Sequence, residues 1–303
     1  MNDRSSTGLR RIGWRLEAIG YDLVSWLLRR LPVDAASRLG GAVLARLGPL
    51  TRRHRIVLRN LELAFPGLSP DDRRAIALEH WKRIGQTFAE FPLMDRITPA
   101  SGRVEVVGLE RLEQVAAGAA PAILVSGHLS NWEVMMAVIV ASGVRCRVSY
   151  KPANNPYTDR RIVDSRRRYG VQLEAAKGAE GARDLLVALR RGDSVAMLDD
   201  QRDSTGVEAP FFGRLVCTAP GPVRLALTHG GRLTPMSVAR LDGARFRVTI
   251  HEPIVLARTG DRARDVQAGV AQVNAFIEAC IRERPTEWMW SHRRWPLECY
   301  ADL

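Results

Sequence analysis

The sequence predicts a single α/β domain, in which a mostly parallel central sheet is flanked by helices and follows an N-terminal helical section. Three observations lead to this prediction. The first 92 residues carry helical patterns without a strand pattern, and short β-rich runs alternate with helical ones from about residue 103. An Asp-Gly turn at residues 241–243 predicts an antiparallel hairpin near 233–251. The chain, with 303 residues of which 46% are hydrophobic, is long and apolar enough to bury a core.

The first predicted element is an amphipathic helix. Its apolar residues recur at three- and four-residue steps: Ile12, Leu16, Ile19, Leu23, Trp26, Leu27 and Leu31. Arginines stand at the ends and flanks of this stripe: Arg10, Arg11, Arg15, Arg29 and Arg30. The combination is typical of a helix that lies at a membrane interface with its cations facing anionic lipid. The alternative is that the stripe packs on the protein's own core.

Three further helical patterns follow, at about 34–47, 52–64 and 70–90. The last opens with Ser69, Pro70 and two aspartates, which is a good helix-start signal. We therefore expect residues 1–50 to form membrane-associating helices and residues 51–303 to form the α/β domain.

The rest of the chain alternates between strand and helix patterns, as is typical of a parallel sheet covered on both faces. The predicted strands are Val104–Val107, Ala122–Ser126, Val144–Tyr150, Val171–Leu173, Ser194–Leu198, Leu233–Ala239 and Arg245–His251. The predicted helices lie near 109–117, 132–141, 157–169, 180–191, 220–229 and 262–283.

The net charge of +12 is distributed unevenly. The first 60 residues hold 12 Arg and four acids, a net +8, whereas the other 243 residues hold 33 cations and 29 acids, a net +4. A basic protein suggests a nucleic-acid partner. A basic segment with an apolar stripe points as readily to an anionic membrane surface, which is the partner we expect, with no nucleic acid.

The cysteines and apolar runs bear on the compartment. Cys146, Cys217, Cys280 and Cys299 form no C-x-x-C pair, which argues against a zinc site or a disulfide scaffold and favours a reducing compartment. No apolar run reaches the roughly 18 residues of a spanning helix, and charges interrupt any secretory pattern. We expect the chain to stay on the cytoplasmic side, with no metal.

A candidate catalytic motif follows the first apolar strand. There, His128 precedes Glu133 by five residues, so the two share a face only if His128 lies in the turn before the helix. A carboxylate on one imidazole nitrogen would make the other nitrogen a competent base for a hydroxyl. The alternative is a capping box of Ser130 and Glu133. The bare spacing is weak, since about 0.6 matches are expected by chance in this chain.

Two other polar loops follow predicted strands. Lys151 and Asn155 lie in a turn after the strand that ends at Tyr150, and Asp200 and Gln201 follow the strand that ends at Leu198. Because parallel strands place their carboxyl ends at one edge, these loops are expected to meet His128 there. Each loop alone also fits an ordinary turn or a solvated acidic loop. There is no G-x-S-x-G elbow, no P-loop and no G-x-G-x-x-G after a strand.

Five ordered blocks resemble the bacterial lipid A biosynthesis acyltransferase family, the late lauroyl and myristoyl transferases. The blocks cover nearly the whole chain: Arg59-Asn60-Leu61 with Ala64-Phe65-Pro66, Gly127–Glu133, Tyr150–Pro156, Asp200-Gln201 with Ala209–Gly213, and Trp288–Trp295. Together they are far more specific than the His128–Glu133 spacing alone.

The resemblance implies transfer of an acyl chain from acyl carrier protein to a hydroxyl of a phosphorylated glucosamine lipid. His128 would be the base and Glu133 its partner, and Arg166 would bind a substrate anion or the developing oxyanion. With the loops above, it also yields the predicted substrate-binding residues Asn131, Lys151, Asn155, Arg166, Asp200 and Gln201. No cofactor is implied beyond the acyl carrier protein donor, for which acyl-CoA could substitute. The expected partners are the carrier protein, an anionic lipid acceptor and the cytoplasmic face of the inner membrane.

The chain departs from the family pattern at two places. Arg15, Glu17 and Asp22 interrupt what is usually a plainer hydrophobic anchor, so the helix could span or lie on the membrane, and Lys151 replaces a common arginine. Alternatives are the same chemistry on a lysophospholipid or another glycolipid, and a non-enzymatic basic binding protein.

The sequence leaves two interpretations open for some aromatic segments of the C-terminal part. Phe211-Phe212 could line an acyl channel or anchor a loop. Trp290 is expected to pack against the sheet, whereas roles for His292 and Arg293 stay open. The length of the acyl chain is not predicted by the sequence.

Overall fold

The N-terminal third of the chain is helical. The computed structural model describes residues 8–118, 120–175 and 178–303. It begins with α1 (Gly8–Arg29), α2 (Val33–Leu47), α3 (Arg53–Ala64) and α4 (Pro70–Glu90), with short 3-10 helices at Gly48–Leu50, Phe91–Arg96 and Pro99–Ser101. Ser69 caps α4 by accepting a hydrogen bond from the N–H of Asp72, and Pro70 occupies the first helical position, where its missing N–H costs nothing.

The α/β part is built on a seven-stranded sheet. Its strands are β1 (Val104–Val107), β2 (Ala122–Ser126), β3 (Cys146–Tyr150), β4 (Gln172–Ala175), β5 (Ser194–Leu198), β8 (Arg232–Arg240) and β9 (Phe246–Ile250). The strand order is β1-β9-β8-β2-β5-β3-β4, and all pairs are parallel except β8–β9. The hairpin predicted near 233–251 is therefore confirmed, as is the mostly parallel α/β fold.

Helices cover the sheet between its strands. They are α5 (Leu109–Ala116), α6 (Glu133–Ala141), α7 (Pro156–Arg168), α8 (Gly178–Arg190), α9 (Gly221–His229) and α10 (Arg262–Glu283). Every residue of β2 is buried, as expected for a strand at the centre of a parallel sheet with layers on both faces. Buried residues of α1–α4 join the same hydrophobic core, and the boundary placed at residue 50 stays a prediction.

A second, two-stranded antiparallel sheet was not predicted. It pairs β6 (Arg202–Phe211) with β7 (Arg214–Thr218), and the register shifts between Arg202 and Val207. A Cβ at Gly206 would lie 2.3 Å from the carbonyl oxygen of Thr218, so this close approach of two backbones requires glycine. Gly206 and Pro210 weaken the strand pattern in the sequence, and the tertiary pairing overrides it.

The polar side of α1 packs against α7. The guanidinium of Arg15 donates to the hydroxyl of Tyr157 at 3.4 Å, and Asp22 accepts two hydrogen bonds from Arg161 at 2.6 and 2.5 Å. Thr158 donates to Glu17 at 3.2 Å. The charges that interrupt the apolar pattern of α1 thus attach this helix to the protein.

The apolar stripe of α1 faces outward. Its exposed side chains are Ile12, Leu16, Ile19, Leu23, Val24, Trp26 and Leu27, each more than half exposed. The alternative that these residues pack on the core is therefore wrong for most of the stripe, and among the side chains of α1 that the structure describes the buried hydrophobics are Ala18 and Leu28. Within the described ranges, no helix is long and apolar enough to cross a membrane.

Candidate active site

Two loops meet at the carboxyl edge of the sheet. Strands β2 and β5 are neighbours, with Ser126 paired to Leu198, so the loops that follow them start side by side. The N–H of Asp199 donates to the carbonyl of Ser126 at 2.8 Å and ties the loops together. A Cβ at Gly127 would lie 3.1 Å from Oδ2 of Asp200, so glycine permits this carboxylate to approach the loop of His128.

His128 is bound by Asp200. Nδ1 of His128 lies 2.6 Å from Oδ1 of Asp200, and Oδ2 accepts hydrogen bonds from the N–H of His128 and the indole N–H of Trp288, both at 2.7 Å. Asp200 is buried, whereas the side chain of His128 keeps 15% of its surface exposed. The carboxylate therefore fixes the imidazole through Nδ1, and Nε2 is left for a substrate.

The prediction that Glu133 is the partner of His128 was wrong, and Asp200, which was predicted to bind substrate, takes that place because β5 lies beside β2. Glu133 starts α6, and its carboxylate binds Arg166, with a 2.9 Å bond from Nε and a second, shorter one from Nη2. The hydroxyl of Tyr169 donates to the same carboxylate at 3.0 Å. Glu133 is fully occupied on the side of α7 because the loop between His128 and α6 separates the two residues instead of folding back.

The capping-box alternative is not formed either. The N-cap position of α6 is Trp132, which makes no side-chain cap bond, and the N–H of Glu133 bonds to Oδ1 of Asn131 at 3.2 Å. Ser130 has a φ of 45°, and its buried hydroxyl has no partner in the described part of the chain. A left-handed serine costs conformational energy, and such residues cluster at functional loops.

Asn131 attaches the loop of His128 to the buried core. It is fully buried, and its amide nitrogen donates to Glu90 at 2.9 Å. Glu90 in turn binds Arg240 on β8 at 2.6 and 2.9 Å and Ser37 on α2 at 2.6 Å, all without solvent exposure above 2%. Asn131 was predicted to bind substrate, but its amide is used within the protein, because the loop needs internal partners for its polar groups.

The loop after β3 contains two predicted residues with different surroundings. Lys151 is exposed, as a substrate-binding cation would be. Asn155 is buried: its Oδ1 caps α7 by accepting from Tyr157 and Thr158, and its Nδ2 donates to the carbonyl of Trp14 on α1 at 2.9 Å. A substrate contact by Asn155 is contradicted, since both ends of its amide serve helix capping and the attachment of α1.

A second imidazole borders the site. The rings of His128 and His292 lie 6.0 Å apart, and Nε2 of His292 is 3.3 Å from the amide nitrogen of Gln201. Burial and then nearby cationic groups, including Arg53 and Lys151, lower the pKa of His292, so it is neutral at pH 7. Gln201 thus reaches the site through His292, and Arg53 and Lys151 give its rim a positive charge.

The adjacent aspartates have opposite electrostatics. Burial alone would raise the pKa of Asp200, but the charge of His128 and the hydrogen bonds from His128 and Trp288 hold it well below the ordinary value. Burial raises the pKa of Asp199 well above the ordinary value despite Arg294, and Oδ2 of Asp199 has no partner in the described residues. Asp200 is therefore ionised at pH 7, whereas the buried site of Asp199 disfavours its charged form.

Sequence reasoning missed several residues of the site. Trp288, which binds Asp200, was recognised only as part of an aromatic block, and Tyr169, Glu90 and Arg240 were not singled out. Trp290 is fully buried as predicted, and Phe211 and Phe212 pack with Trp295 in the same aromatic cluster. A tryptophan spacing does not reveal where an indole N–H points, so no signal in a single sequence identifies these contacts.

The arrangement has the geometry that general-base chemistry on a hydroxyl requires. A buried carboxylate fixes one nitrogen of an imidazole and stabilises its protonated form, while the other nitrogen accepts a proton. The site lies where open α/β sheets bind ligands, beyond the carboxyl ends of adjacent parallel strands.

Comparison with known proteins identifies the family. Residues 16–296 match the family described as bacterial lipid A biosynthesis acyltransferase, and the chain belongs to it. The protein is therefore an acyltransferase of lipid A biosynthesis type. The five sequence blocks all lie within the matched residues.

Individual relatives extend over nearly the whole chain. The protein is 28% identical over 298 residues to the lipid A biosynthesis lauroyltransferase of Escherichia coli (strain K12), covering 95% of this chain and 94% of that protein. It is 28% identical over 281 residues to the lipid A biosynthesis palmitoleoyltransferase of the same organism, covering 89% and 88%. The phosphatidylinositol mannoside acyltransferase of Mycolicibacterium smegmatis is 25% identical over 290 residues, covering 94% and 93%.

Proposed function

We propose that the protein transfers a fatty acyl chain from an acyl carrier protein thioester to a hydroxyl of a lipid A precursor, with His128 as the general base. One observation carries the proposal: Asp200 binds Nδ1 of His128 at the carboxyl edge of the sheet, in a chain of the lipid A acyltransferase family. The reaction needs no cofactor beyond the acyl donor.

The chemistry follows from the orientation of His128. Nε2 takes the proton of the acceptor hydroxyl as its oxygen attacks the thioester carbonyl carbon. A C–O bond forms, the C–S bond breaks as the tetrahedral intermediate collapses, and the imidazolium returns its proton to the leaving thiolate. Asp200 stabilises the imidazolium meanwhile, because its carboxylate stays ionised beside it.

Glu133 and Arg166 act as a pair in this proposal. Their contact places the guanidinium of Arg166, on α7, against the first turn of α6, where the loop of His128 ends. Nε and Nη2 of Arg166 bind Glu133 and are not available to a substrate. A contact of the remaining nitrogen, Nη1, with the oxyanion stays a prediction. Loss of either residue is expected to displace the start of α6 and with it the loop.

The cationic rim supports an anionic substrate. Arg53 donates to the carbonyl of Ser291 at 3.1 Å, next to His292, and is exposed, as is Lys151. Exposed cations beside the partly buried His292 are suited to phosphate groups of a lipid or of a carrier's prosthetic arm. Neutral His292 adds a donor that can reach a substrate oxygen without a net charge.

The outward stripe of α1 supports work at a membrane surface. Its apolar side chains are exposed on one side while its charged side binds α7, so the helix can lie in the interface without leaving the protein. Leu39, Val43 and Leu47 repeat this pattern on α2. We place the protein at the cytoplasmic face of the inner membrane, held by these two helices.

The second candidate is the same reaction on another glycolipid. The similarity to a phosphatidylinositol mannoside acyltransferase over 94% of this chain favours it, because that protein is named for a lipid other than lipid A. The base and its carboxylate are equally suited to a sugar hydroxyl of either acceptor.

Mass spectrometry of reaction products tests the function. The protein is incubated with carrier thioesters of several chain lengths, with the matching CoA thioesters, and with lipid A precursors or mannosylated phosphoinositides. An acylated lipid A precursor formed from the carrier thioester is the expected product. Acylation of the mannolipid alone would favour the second candidate, and no acylated lipid in any mixture would refute the proposal.

His128→Ala tests the base. This variant removes the proton acceptor while leaving Asp200 with two donors, so it is expected to fold and to lose acyl transfer by about a hundredfold or more. Circular dichroism and thermal unfolding establish the folding. A folded variant with wild-type turnover would eliminate His128 as the base.

A further inference from the structure

The segment after α10 returns to the site and connects its two loops. Trp288 pairs with Leu129 as an isolated antiparallel bridge, and the N–H of Met289 donates to the carbonyl of His128 at 3.2 Å. The carbonyl of Glu287 accepts from the N–H of Ser130 at 2.6 Å. The main chain of this segment therefore lies along the loop that carries His128, like a short added strand.

The side chain of Trp288 reaches the other loop. Its indole N–H donates to Oδ2 of Asp200 at 2.7 Å, and its ring is 1% exposed. Oδ2 has one other donor, the main-chain N–H of His128. This segment thus holds the histidine loop through the main chain of Glu287 and Met289, and the aspartate through the side chain of Trp288 between them.

We propose that Trp288 is a positioning residue for the base: its indole N–H fixes the rotamer and disperses the charge of Asp200, and Asp200 in turn orients His128. The proposal rests on the proposed role of His128. Trp288 touches neither the proton that is transferred nor the thioester, so it acts only through the carboxylate.

The physical reason lies in how a carboxylate divides its charge between donors. An indole N–H on Oδ2 stabilises the anion and weakens its attraction for the imidazolium on Oδ1. Without this donor the carboxylate holds the protonated imidazole more strongly and gains freedom to rotate. The imidazole should then remain protonated to a higher pH.

The test compares Trp288→Phe with Trp290→Phe. Trp290 is a close match because it is also buried, its ring lies 4.7 Å from that of Trp288, and its N–H donates at 2.6 Å, but to the carbonyl of Pro285. Both variants lose an indole from one aromatic cluster, and only Trp288→Phe removes a donor from Asp200. Any loss of packing is common to the two.

The principal measurement is an NMR titration of the labelled His128 ring in the full-length protein. In Trp288→Phe we expect the titration midpoint to rise by about 0.5 pH unit or more relative to wild type, and the acid limb of kcat/KM to move with it. In Trp290→Phe the midpoint and the acid limb should stay within about 0.2 pH unit of wild type. A shift of that size corresponds to a free energy much smaller than that of one hydrogen bond to a charged group.

A second variant covers the case in which Trp288→Phe does not fold. Trp288→benzothienylalanine replaces the N–H by sulfur and keeps the shape of the ring, so packing is conserved and only the donor is lost. The proposal would be overturned if the His128 titration midpoint of the benzothienylalanine variant, or of a folded Trp288→Phe, equalled that of Trp290→Phe. The titration needs no turnover, so a protein that moves the midpoint but acylates no lipid would contradict the proposed function and not the contact.

Discussion

At the scale of single residues, the site depends on two adjacent aspartates whose pKa values are shifted in opposite directions. Asp200 is ionised because three donors surround its carboxylate, whereas Asp199 is buried with one oxygen unpartnered and its pKa is raised. A protonated carboxyl resembles an amide in shape and charge, and an ionised one does not. The same substitution should therefore have opposite consequences at the two positions.

Asp200→Asn and Asp199→Asn make this comparison. Asp200→Asn removes the negative charge beside His128 and is expected to lower kcat by about a hundredfold or more, as for an orienting aspartate of a catalytic histidine. Asp199→Asn is expected to keep turnover within about threefold of wild type, since burial raises the pKa of Asp199 and so already favours its uncharged form. Steady-state rates of the two purified variants check the pair. Equal losses of turnover would show that Asp200 has no special relation to the base.

The same substitution also has a pH consequence at Asp199. A carboxyl whose pKa is raised by folding favours the folded state most at low pH, and that contribution is lost as pH rises above the unfolded value. Asp199→Asn should therefore unfold at an equal or higher temperature than wild type at pH 7. This stability result and the turnover result above come from one preparation.

Residue types at the site were predictable, but their pairing was not. His128, Asp200 and Glu133 were all recognised from their positions after strands or at a helix start. Which carboxylate binds the histidine depends on the neighbour of β2 in the sheet, and the chain order does not reveal that β5 occupies that place. Glu133 is nearer to His128 in the sequence, yet its carboxylate binds Arg166 on α7.

At the scale of elements, the contacts of α1 account for the charges that interrupt its apolar pattern. A single apolar stripe with charges inside it looks like a defective anchor, but the charges are contacts to α7 and the apolar residues face outward. The sequence predicted both sides of this helix and not their partners, because periodicity reports a face and not what lies against it.

Leu16→Glu combined with Leu23→Glu tests the outward stripe. These side chains are 63% and 57% exposed, and both should insert into the lipid interface. Each buried leucine contributes about 1.5–3 kcal/mol, so binding to anionic vesicles should weaken by at least about tenfold with no loss of folding. Vesicle co-sedimentation gives the affinity.

Val255→Glu is the matched control for this prediction. Val255 is 86% exposed and lies outside α1, so Val255→Glu adds one of the two negative charges of the double variant at another exposed apolar position. Unchanged vesicle binding in the α1 double variant, or an equal loss in the control, would show that α1 has no specific contact with lipid.

The missed hairpin shows the limit of element prediction. The segment that forms β6 and β7 contains glycine, proline and several polar residues, and it follows an acidic loop. Its pairing is stabilised by contact with α10, which lies about 60 residues later in the chain. Local propensity cannot report such a contact, whereas the central strand β2 was predicted because it is buried on both faces and reads as a continuous apolar run.

At the scale of the whole molecule, folding keeps a buried histidine neutral. Burial lowers the pKa of His80 on α4 to about 3, whereas an unfolded histidine titrates near 6.5. The unfolded state therefore binds a proton between these values that the folded state refuses. The free energy of unfolding should fall as pH decreases through this window.

His80→Gln tests this source of acid sensitivity. The wild type is expected to lose about 1.4 kcal/mol of folding stability per pH unit below pH 6.5 from this residue, and the variant should lose correspondingly less. Between pH 6.5 and pH 5 the two curves should therefore converge by about 2 kcal/mol. Urea unfolding at several pH values gives both. Parallel curves would show that His80 is not the residue responsible.

The buried ion pair of Glu90 and Arg240 has a practical consequence for anyone who shortens this chain to improve its handling in solution. Removing α1 and α2 would eliminate the exposed apolar side chains, but also Ser37, which donates to Glu90 at 2.6 Å. Glu90 also accepts from Asn131 in the loop of His128. A truncation at residue 50 would thus open a polar network that ends beside the base, whereas polar substitutions on the outward face of α1 leave it closed.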